Sequence, residues 1–166
     1  MAAKKIVDIP YLPRDAFDPL HERMQRWAVV VAHRRAGKTV ACINELIRGA
    51  FTCPLPRPSF AYIAPQLNQA KDIAWNYLLD FTDCFAAAGL RKANQAELWV
   101  EIGPRRGRIR LYGAGERLRG GYFDGVVLDE YGDMEPGFWS KVVRPMLSDS
   151  GREGWAIFAR LTTVSV

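Results

Sequence analysis

The sequence predicts an α/β fold with a mainly parallel central sheet flanked by helices, plus one β-hairpin. Short, continuous apolar runs rich in β-branched residues occur at 27–31, 60–64 and 125–128. Such runs are typical of parallel strands that are covered on both faces. Segments with helical spacing of apolar residues separate these runs, and strands that alternate with helices pair in parallel through right-handed crossovers.

The chain begins with a lead-in over residues 1–26. Its first 20 residues hold three prolines and little periodicity, which indicates an extended segment, and a short helix is expected over 20–26. The run WAVVV at 27–31 is predicted to be a central strand. We expect the core of the domain to span 27–158.

The next elements repeat the alternation of helix and strand. Residues 39–51 have helical spacing, and an apolar face is formed by Val40, Ile43, Leu46 and Ile47. After a proline-rich break, FAYIA at 60–64 is predicted to be a buried strand. Residues 66–90 are predicted to be one long helix that Gly89 closes.

The last third of the sequence predicts a hairpin, a strand and a helix. The alternating runs at 97–102 and 107–113 flank GPRRG and indicate a β-hairpin. GVVLDE at 125–130 is predicted to be a buried strand, and residues 135–147 a helix with Pro136 near its first turn. The hairpin arginines either contact nucleic-acid phosphates or form a solvated strand face, and the second reading is favoured.

Composition fits one globular domain of 166 residues, 49% of them hydrophobic. A net charge of +5 is compatible with a polyanionic partner but does not require one. Cys42, Cys53 and Cys84 form no C-x-x-C pair, so reduced thiols are expected. No apolar run is long enough for a membrane span, and the N-terminus has no signal-peptide core, so a cytoplasmic location without a membrane partner is expected.

A phosphate-binding loop is predicted between the first strand and the helix that follows it. Residues 32–39, AHRRAGKT, match the pattern G-x-x-x-x-G-K-[ST] except at the first position, where Ala32 replaces glycine. In such loops, backbone N–H groups and the helix N-terminus surround the phosphates. Lys38 would reach the β- and γ-phosphates, and the hydroxyl of Thr39 would ligate Mg²⁺. The other residues expected to line the nucleotide are His33, Arg34, Arg35, Ala36 and Gly37.

Two carboxylates follow the apolar strand at 125–128. Ligands of open α/β sheets bind at the carboxyl ends of the strands, where Asp129 and Glu130 are expected. Asp129 would hold Mg²⁺, and Glu130 would orient and polarise the attacking water. Together with the phosphate loop, this pair predicts a P-loop NTPase of the type whose catalytic glutamate follows the metal-binding aspartate.

Arginines are candidates for stabilising the charge of the transferred phosphoryl group. Arg34 lies in the loop and could act within the chain, whereas Arg119, in a glycine-rich segment, could act on the nucleotide of a neighbouring subunit. Arg35 and Arg117 are expected to be solvated surface charges.

Four stretches resemble the ATPase domain of the large terminase subunit of tailed phages, the DNA-packaging motor. They are HRRAGKT, YIAPQLNQAKDIAW, LRGGYFDGVVLDEYGDM and PGFWSKVVRPMLSD, and the resemblance runs from about residue 10 to 158. It implies that Ala32 is an accepted replacement of glycine, that Arg34 contacts the phosphates and that Arg119 is an arginine finger between subunits of a ring. Gln25 matches the adenine-reading glutamine of that family.

The same resemblance implies a function and partners. We expect an ATP- and Mg²⁺-dependent ATPase that drives double-stranded DNA into procapsids, with a portal protein and a small terminase subunit as partners. The family's coupling motif and nuclease domain are not recognisable after GWAIFA, so 159–166 is expected to be a divergent tail of a truncated or frameshifted gene, such as a prophage copy. Such a fragment would expose Trp155, Ile157 and Phe158 and be marginally stable.

Two other interpretations remain open. The chain could be a helicase-like or other P-loop ATPase, although such loops usually keep glycines where this one has His33 and Arg34. It could instead be a non-catalytic remnant that binds nucleotide, because the tail departs from the family. The intact Lys38, Thr39 and the acidic pair favour a catalytic protein.

Overall fold

A computed structural model describes residues 7–115, 118, 121–149 and 152–162. Its main feature is a seven-stranded sheet in the spatial order β1-β9-β6-β2-β5-β4-β3. The strands are β1 (Trp27–Ala32), β2 (Ser59–Ala64), β3 (Arg91–Asn94), β4 (Trp99–Ile102), β5 (Gly107–Gly113), β6 (Gly125–Leu128) and β9 (Trp155–Leu161), with a separate pair formed by β7 (Ser148–Asp149) and β8 (Arg152–Glu153). The first five strands of the spatial order are parallel, which confirms the predicted fold class.

Helical segments cover the two faces of this sheet. The α-helices are α1 (Asp18–His21), α2 (Lys38–Thr52), α3 (Leu67–Ala70), α4 (Asn76–Phe81), α5 (Asp83–Ala87) and α6 (Arg144–Met146). Two π-helical segments occupy Lys71–Trp75 and Trp139–Val143, and 3₁₀ turns occupy Asp15–Phe17 and Tyr131–Asp133. One hydrophobic core lies under α2 to α5, and the other lies between the sheet and the segment that contains α6.

Helix α2 is central to the first core. It packs against β2, β5 and β6, and Ile43, Leu46 and Ile47 are fully buried, as the helical spacing predicts. Gly107 permits the close approach of β5 to this helix. A Cβ at that position would lie 2.1 Å from the carbonyl oxygen of Ala50, so no larger residue fits without moving the backbone.

The position of β1 differs from the prediction of a covered central strand. Among the described residues, β1 pairs only with β9, so it is an edge strand. Its alternate side chains Val29 and Val31 are 69% and 55% exposed, while the opposite face packs on the first core. An apolar run shows that a strand contains few polar residues, but it does not show whether the strand pairs with one neighbouring strand or with two.

The expectation that Trp155, Ile157 and Phe158 are exposed is wrong. Strand β9 lies between β1 and β6, so both of its edges are paired. Ile157 is completely buried, and the other two side chains are partly buried. The strand also continues to Leu161, so residues 159–161 belong to the sheet.

Several helices depart from their predicted bounds. The segment 66–90 is interrupted by the π-helical stretch and by a break at Thr82, whose hydroxyl donates to the carbonyl of Leu78 at 2.6 Å. Competition of this kind for backbone groups favours helix ends. Gly89 does end the segment with a φ of +73°, as predicted. The helix expected over 20–26 instead spans Asp18–His21, and the last helix begins after Gly137.

A buried ion-pair cluster joins the lead-in to α2; we call it the Glu45 cluster. It consists of Glu45, His21, Arg23 and Arg48. The Glu45 carboxylate, 2% exposed, lies 2.7 Å from His21 Nδ1, 2.5 Å from Arg23 Nη1 and 3.0 Å from Arg48 Nη2. These contacts anchor the lead-in beside the helix that carries the phosphate loop.

The predicted hairpin forms between β4 and β5, and β3 extends it by a third antiparallel strand. Arg106 and Arg108 both bind the carboxylate of Glu101, at 3.0 and 2.6 Å. Two of the hairpin arginines are therefore paired within the chain. No helix in the described part of the chain is both long and apolar enough to cross a membrane.

Candidate active site

The phosphate-loop sequence lies where β1 ends and α2 begins. Strand β1 ends at Ala32, and α2 starts at Lys38 with Gly37 as its N-cap. Gly37 has a φ of +95°, a conformation that L-residues adopt only with strain. The turn aims the free N–H groups of the first helical turn, and the positive end of a 15-residue helix, toward the carboxyl edge of the sheet. This is an anion-binding arrangement.

Lys38 joins this helix to the acidic pair. Its Nζ lies 2.6 Å from Glu130 Oε1 and 3.0 Å from Asp129 Oδ1, although the residues are about 90 positions apart in the chain. Only 6% of Lys38 is exposed. Burial alone would lower the pKa of Lys38, but the hydrogen bond to Glu130 and the charge of Asp129 outweigh it and raise this pKa. We call these three residues the Lys38 cluster.

The backbone after β6 places the two carboxylates differently. The N–H of Asp129 donates to the carbonyl of Ile63 at 2.8 Å, so this residue continues the ladder between β6 and β2. Glu130 has a φ of +49°, a left-handed conformation that is rare for a glutamate and is concentrated at functional sites. Its Oε2 accepts the N–H of Leu161 at 3.3 Å, and its own N–H donates to Asp129 Oδ1 at 3.1 Å.

A tyrosine that the sequence analysis missed completes the site. Tyr62, in the middle of β2, is 2% exposed, and its phenol donates a short hydrogen bond to Asp129 Oδ2. Burial and the charge of Asp129 raise the pKa of Tyr62 well above its ordinary value of 10. The sequence did contain a signal for this residue, because a tyrosine inside an otherwise apolar strand needs a hydrogen-bond partner for its hydroxyl.

The loop arginines are exposed rather than folded onto the site. His33, Arg34 and Arg35 are solvent-exposed, and His33 Nδ1 lies 2.7 Å from the carbonyl of Arg34. A different arginine contacts the loop: Arg14 Nη1 donates to the carbonyl of Ala36 at 2.9 Å. Arg117 and Arg119 lie outside the described residues.

A cavity of about 250 Å³ opens beside the first turn of α2. The lead-in contributes Pro10, Tyr11, Leu12, Arg14 and Phe17 to its wall, and Gly37 and Val40 contribute the helix side. It is apolar with one cationic group, which suits a planar heterocycle. Gln25 lines a second cavity, of about 700 Å³, together with Arg14 and the loop residues Ala32, His33 and Ala36. The adenine contact of Gln25 stays a prediction.

The donor set fits a magnesium ion that binds together with phosphates. Thr39 and Asp129 supply hard oxygen atoms, and the Tyr62 hydroxyl holds the carboxylate of Asp129. Mg²⁺ commonly takes one or two protein oxygens and completes its shell with substrate phosphates and water. In the part of the chain that the structure describes, no group of three or more His, Cys, Asp or Glu side chains could hold a metal ion.

The geometry and the sheet order define a P-loop NTPase fold, in which the strand β9 lies between the strand of the phosphate loop and the strand of the acidic pair. The fold is that of the ATPase domains of phage large terminases. The large-terminase ATPase domain of Thermus phage P74-26 aligns with a TM-score of 0.77 and 22% identity, covering 92% of this chain and 66% of that one.

Two further solved structures show the same fold. The large terminase of bacteriophage HK97 aligns with a TM-score of 0.68 and 14% identity over 83% of this chain and 29% of its own. The large terminase of a thermophilic bacteriophage, solved with ATP-gamma-S, aligns with a TM-score of 0.64 and 14% identity over 87% of this chain and 36% of its own. The chain thus spans only part of the length of each of these structures. No protein-family model and no curated protein sequence matches the chain.

Proposed function

We propose that this chain is the ATP-hydrolysing motor domain of a phage terminase large subunit and drives double-stranded DNA into procapsids. The Lys38 cluster is the observation that carries this proposal. Two elements far apart in the sequence, the start of α2 and the end of β6, bring a phosphate-loop lysine within 3.0 Å of both members of an acidic pair. The likeness to solved terminase ATPase domains supports the same assignment, and one of those neighbours was solved with an ATP analogue.

The first step of the mechanism is an exchange of partners by Lys38. Loop 32–37 and the N-terminus of α2 would surround the phosphates of ATP with N–H groups. The ammonium of Lys38, held by two carboxylates, would move to the phosphate oxygens, because they offer more negative charge than the pair it leaves. Lys38 enters this step protonated, because the two carboxylates raise its pKa.

The second step is the release of Glu130. Once Lys38 binds phosphate, Glu130 Oε1 loses its 2.6 Å contact and becomes free to accept a proton from an attacking water. Its Oε2 remains oriented by the N–H of Leu161. Thr39 and Asp129 would hold Mg²⁺, which neutralises charge on the phosphates when bound. Nucleotide binding thus switches on the catalytic carboxylate.

The base would lie in the cavity beside α2, between Tyr11, Arg14 and Phe17. Arg34 would reach the phosphates from the exposed loop, and Arg119 would act on the nucleotide of the next subunit in a homo-oligomeric ring. A mixture of Arg119→Ala and Glu130→Gln chains tests this last step. Turnover above that of either variant alone supports action between subunits, and no recovery contradicts it.

ATP turnover by the chain, with Lys38→Ala and Glu130→Gln alongside, tests the proposal. Lys71→Ala and Glu135→Gln are matched controls, because both side chains are exposed and neither belongs to the contacts of the Lys38 cluster. Loss of turnover in Lys38→Ala and Glu130→Gln, but not in the two control variants, supports an ATPase. Equal inactivity of all five proteins, with ATP still bound, would instead assign the chain as a non-catalytic nucleotide-binding remnant.

A DNA-packaging role needs a second measurement. DNA-stimulated turnover, in the presence of a portal protein and a small terminase subunit, is expected of a packaging motor. Stimulation by single-stranded and double-stranded DNA alike, without any effect of portal, would favour another P-loop ATPase.

A further inference from the structure

The two carboxylate oxygens of Asp129 have different partners. Oδ2 accepts a hydrogen bond from the hydroxyl of Tyr62, whereas Oδ1 lies 3.0 Å from Lys38 Nζ and accepts the N–H of Glu130 at 3.1 Å. Tyr62 lies on β2, the strand next to β6, and is paired with Val127 two residues before Asp129. The contact therefore connects neighbouring strands at the edge where the site lies.

The partner of this phenol is one of the proposed metal ligands. Tyr62 donates to Asp129 Oδ2, and Asp129 is one of the two residues whose oxygen atoms suit a magnesium ion. Burying a tyrosine hydroxyl costs free energy unless it is paired, so the position of Tyr62 inside β2 is tied to Asp129.

We propose that Tyr62 is a positioning residue for magnesium binding: it fixes one carboxylate oxygen of Asp129. The inference rests on the proposed nucleotide site. When Lys38 moves to the phosphates, Asp129 loses a cationic partner. Tyr62 then keeps the carboxylate in place as a neutral donor, which offers no positive charge to repel the metal ion. Groups that orient a metal ligand in this way typically change metal affinity by about 10- to 100-fold.

The test is the magnesium dependence of ATP binding in Tyr62→Phe, measured by calorimetry with ATP and increasing Mg²⁺. We expect the affinity for ATP without Mg²⁺ to stay within about twofold of wild type. The Mg²⁺ concentration at half-maximal effect should rise by roughly 10-fold or more. Tyr112→Phe is the control, because it removes a phenol from the adjoining strand β5 at the position paired with Ile63. Its magnesium midpoint should equal that of wild type.

Two results would overturn the proposal in different ways. Wild-type chain that binds no ATP at any Mg²⁺ concentration removes the proposed function, and the role of Tyr62 with it. ATP binding with an unchanged magnesium midpoint in Tyr62→Phe removes only the role of Tyr62.

A double variant covers the case in which Tyr62→Phe fails to fold because Asp129 has lost its donor. Tyr62→Phe with Asp129→Asn removes the carboxylate charge that the phenol satisfies. A magnesium midpoint equal to that of Asp129→Asn alone supports action of Tyr62 through Asp129. A further shift in the double variant contradicts it.

Discussion

The Glu45 cluster and the Lys38 cluster both bury a carboxylate against a cation, but they differ in which charge is in excess. Glu45 is one carboxylate with three basic partners, and 2% of its side chain is exposed. In the Lys38 cluster, two carboxylates share one ammonium, and the side chains of Asp129 and Glu130 are 15% and 29% exposed.

This difference separates a structural ion pair from a reactive one. Both oxygens of Glu45 have basic partners in the same chain, and these contacts hold the lead-in against α2. The Lys38 cluster carries net negative charge at an accessible edge of the sheet and next to a helix N-terminus. In the function that we propose, this cluster binds a cation and its lysine moves to the phosphates.

Glu130→Gln gives the largest expected effect. Turnover of ATP should fall by about 10³-fold, because an amide cannot accept the proton of the attacking water. The free energy of unfolding should change by less than about 1 kcal/mol, since the partly exposed glutamate contributes little to stability. Steady-state ATPase assays and urea unfolding measure the two quantities. A variant that loses stability as well as turnover would make Glu130 a structural residue like Glu45.

Glu45→Ala is expected to have the opposite effects: a lower free energy of unfolding and an unchanged turnover of ATP. Removing the carboxylate leaves Arg23 buried without its partner, which costs about 3–5 kcal/mol in the free energy of unfolding. Turnover per folded molecule should stay near that of wild type. Urea unfolding measures the loss, and Glu22→Ala is the control because Glu22 is exposed. An unfolding free energy equal to that of wild type would show that the cluster does not stabilise the fold.

Gly37→Ala probes the turn that aims α2 at the Lys38 cluster. A Cβ at this position meets no atom closer than 3.7 Å, so any effect comes from the φ of +95°. We expect a loss of about 1–2 kcal/mol in the free energy of unfolding and weaker ATP binding. Gly115→Ala is the control, because it has open space and needs no positive φ. Equal stability of the two variants would show that residue 37 can leave its positive φ without a cost in the free energy of unfolding.

Short-range patterns predicted the elements that build the site. The Gly-Lys-Thr turn and the apolar run before Asp129 each reflect local chemistry, and both lie where the sequence indicates. The neighbours of β1 and the partner of Tyr62 could not be obtained in this way, because strand order and cross-strand contacts depend on the whole sheet. The left-handed φ of Glu130 is equally invisible, since no glycine or asparagine marks it.

The smallest predicted effect concerns Glu101, a carboxylate outside both clusters that has arginine partners, as Glu45 does. Its partners Arg106 and Arg108 saturate it, yet both are about half exposed. Burial alone would raise the pKa of Glu101, but the hydrogen bonds from the two arginines lower it below its ordinary value of 4.5. The folded chain therefore holds this proton less tightly than the unfolded chain.

The stabilisation from Glu101 should be complete above pH 4.5 and be lost as the pH falls through the lowered pKa of the folded state. Exposed partners make the effect small, because water screens them. Urea unfolding of wild type and Glu101→Gln between roughly pH 3 and pH 7 measures it. The difference in stability between the two proteins should shrink toward acid pH. A difference that is constant with pH would mean that Glu101 stabilises the hairpin by packing, and that a saturated carboxylate need not act through its charge.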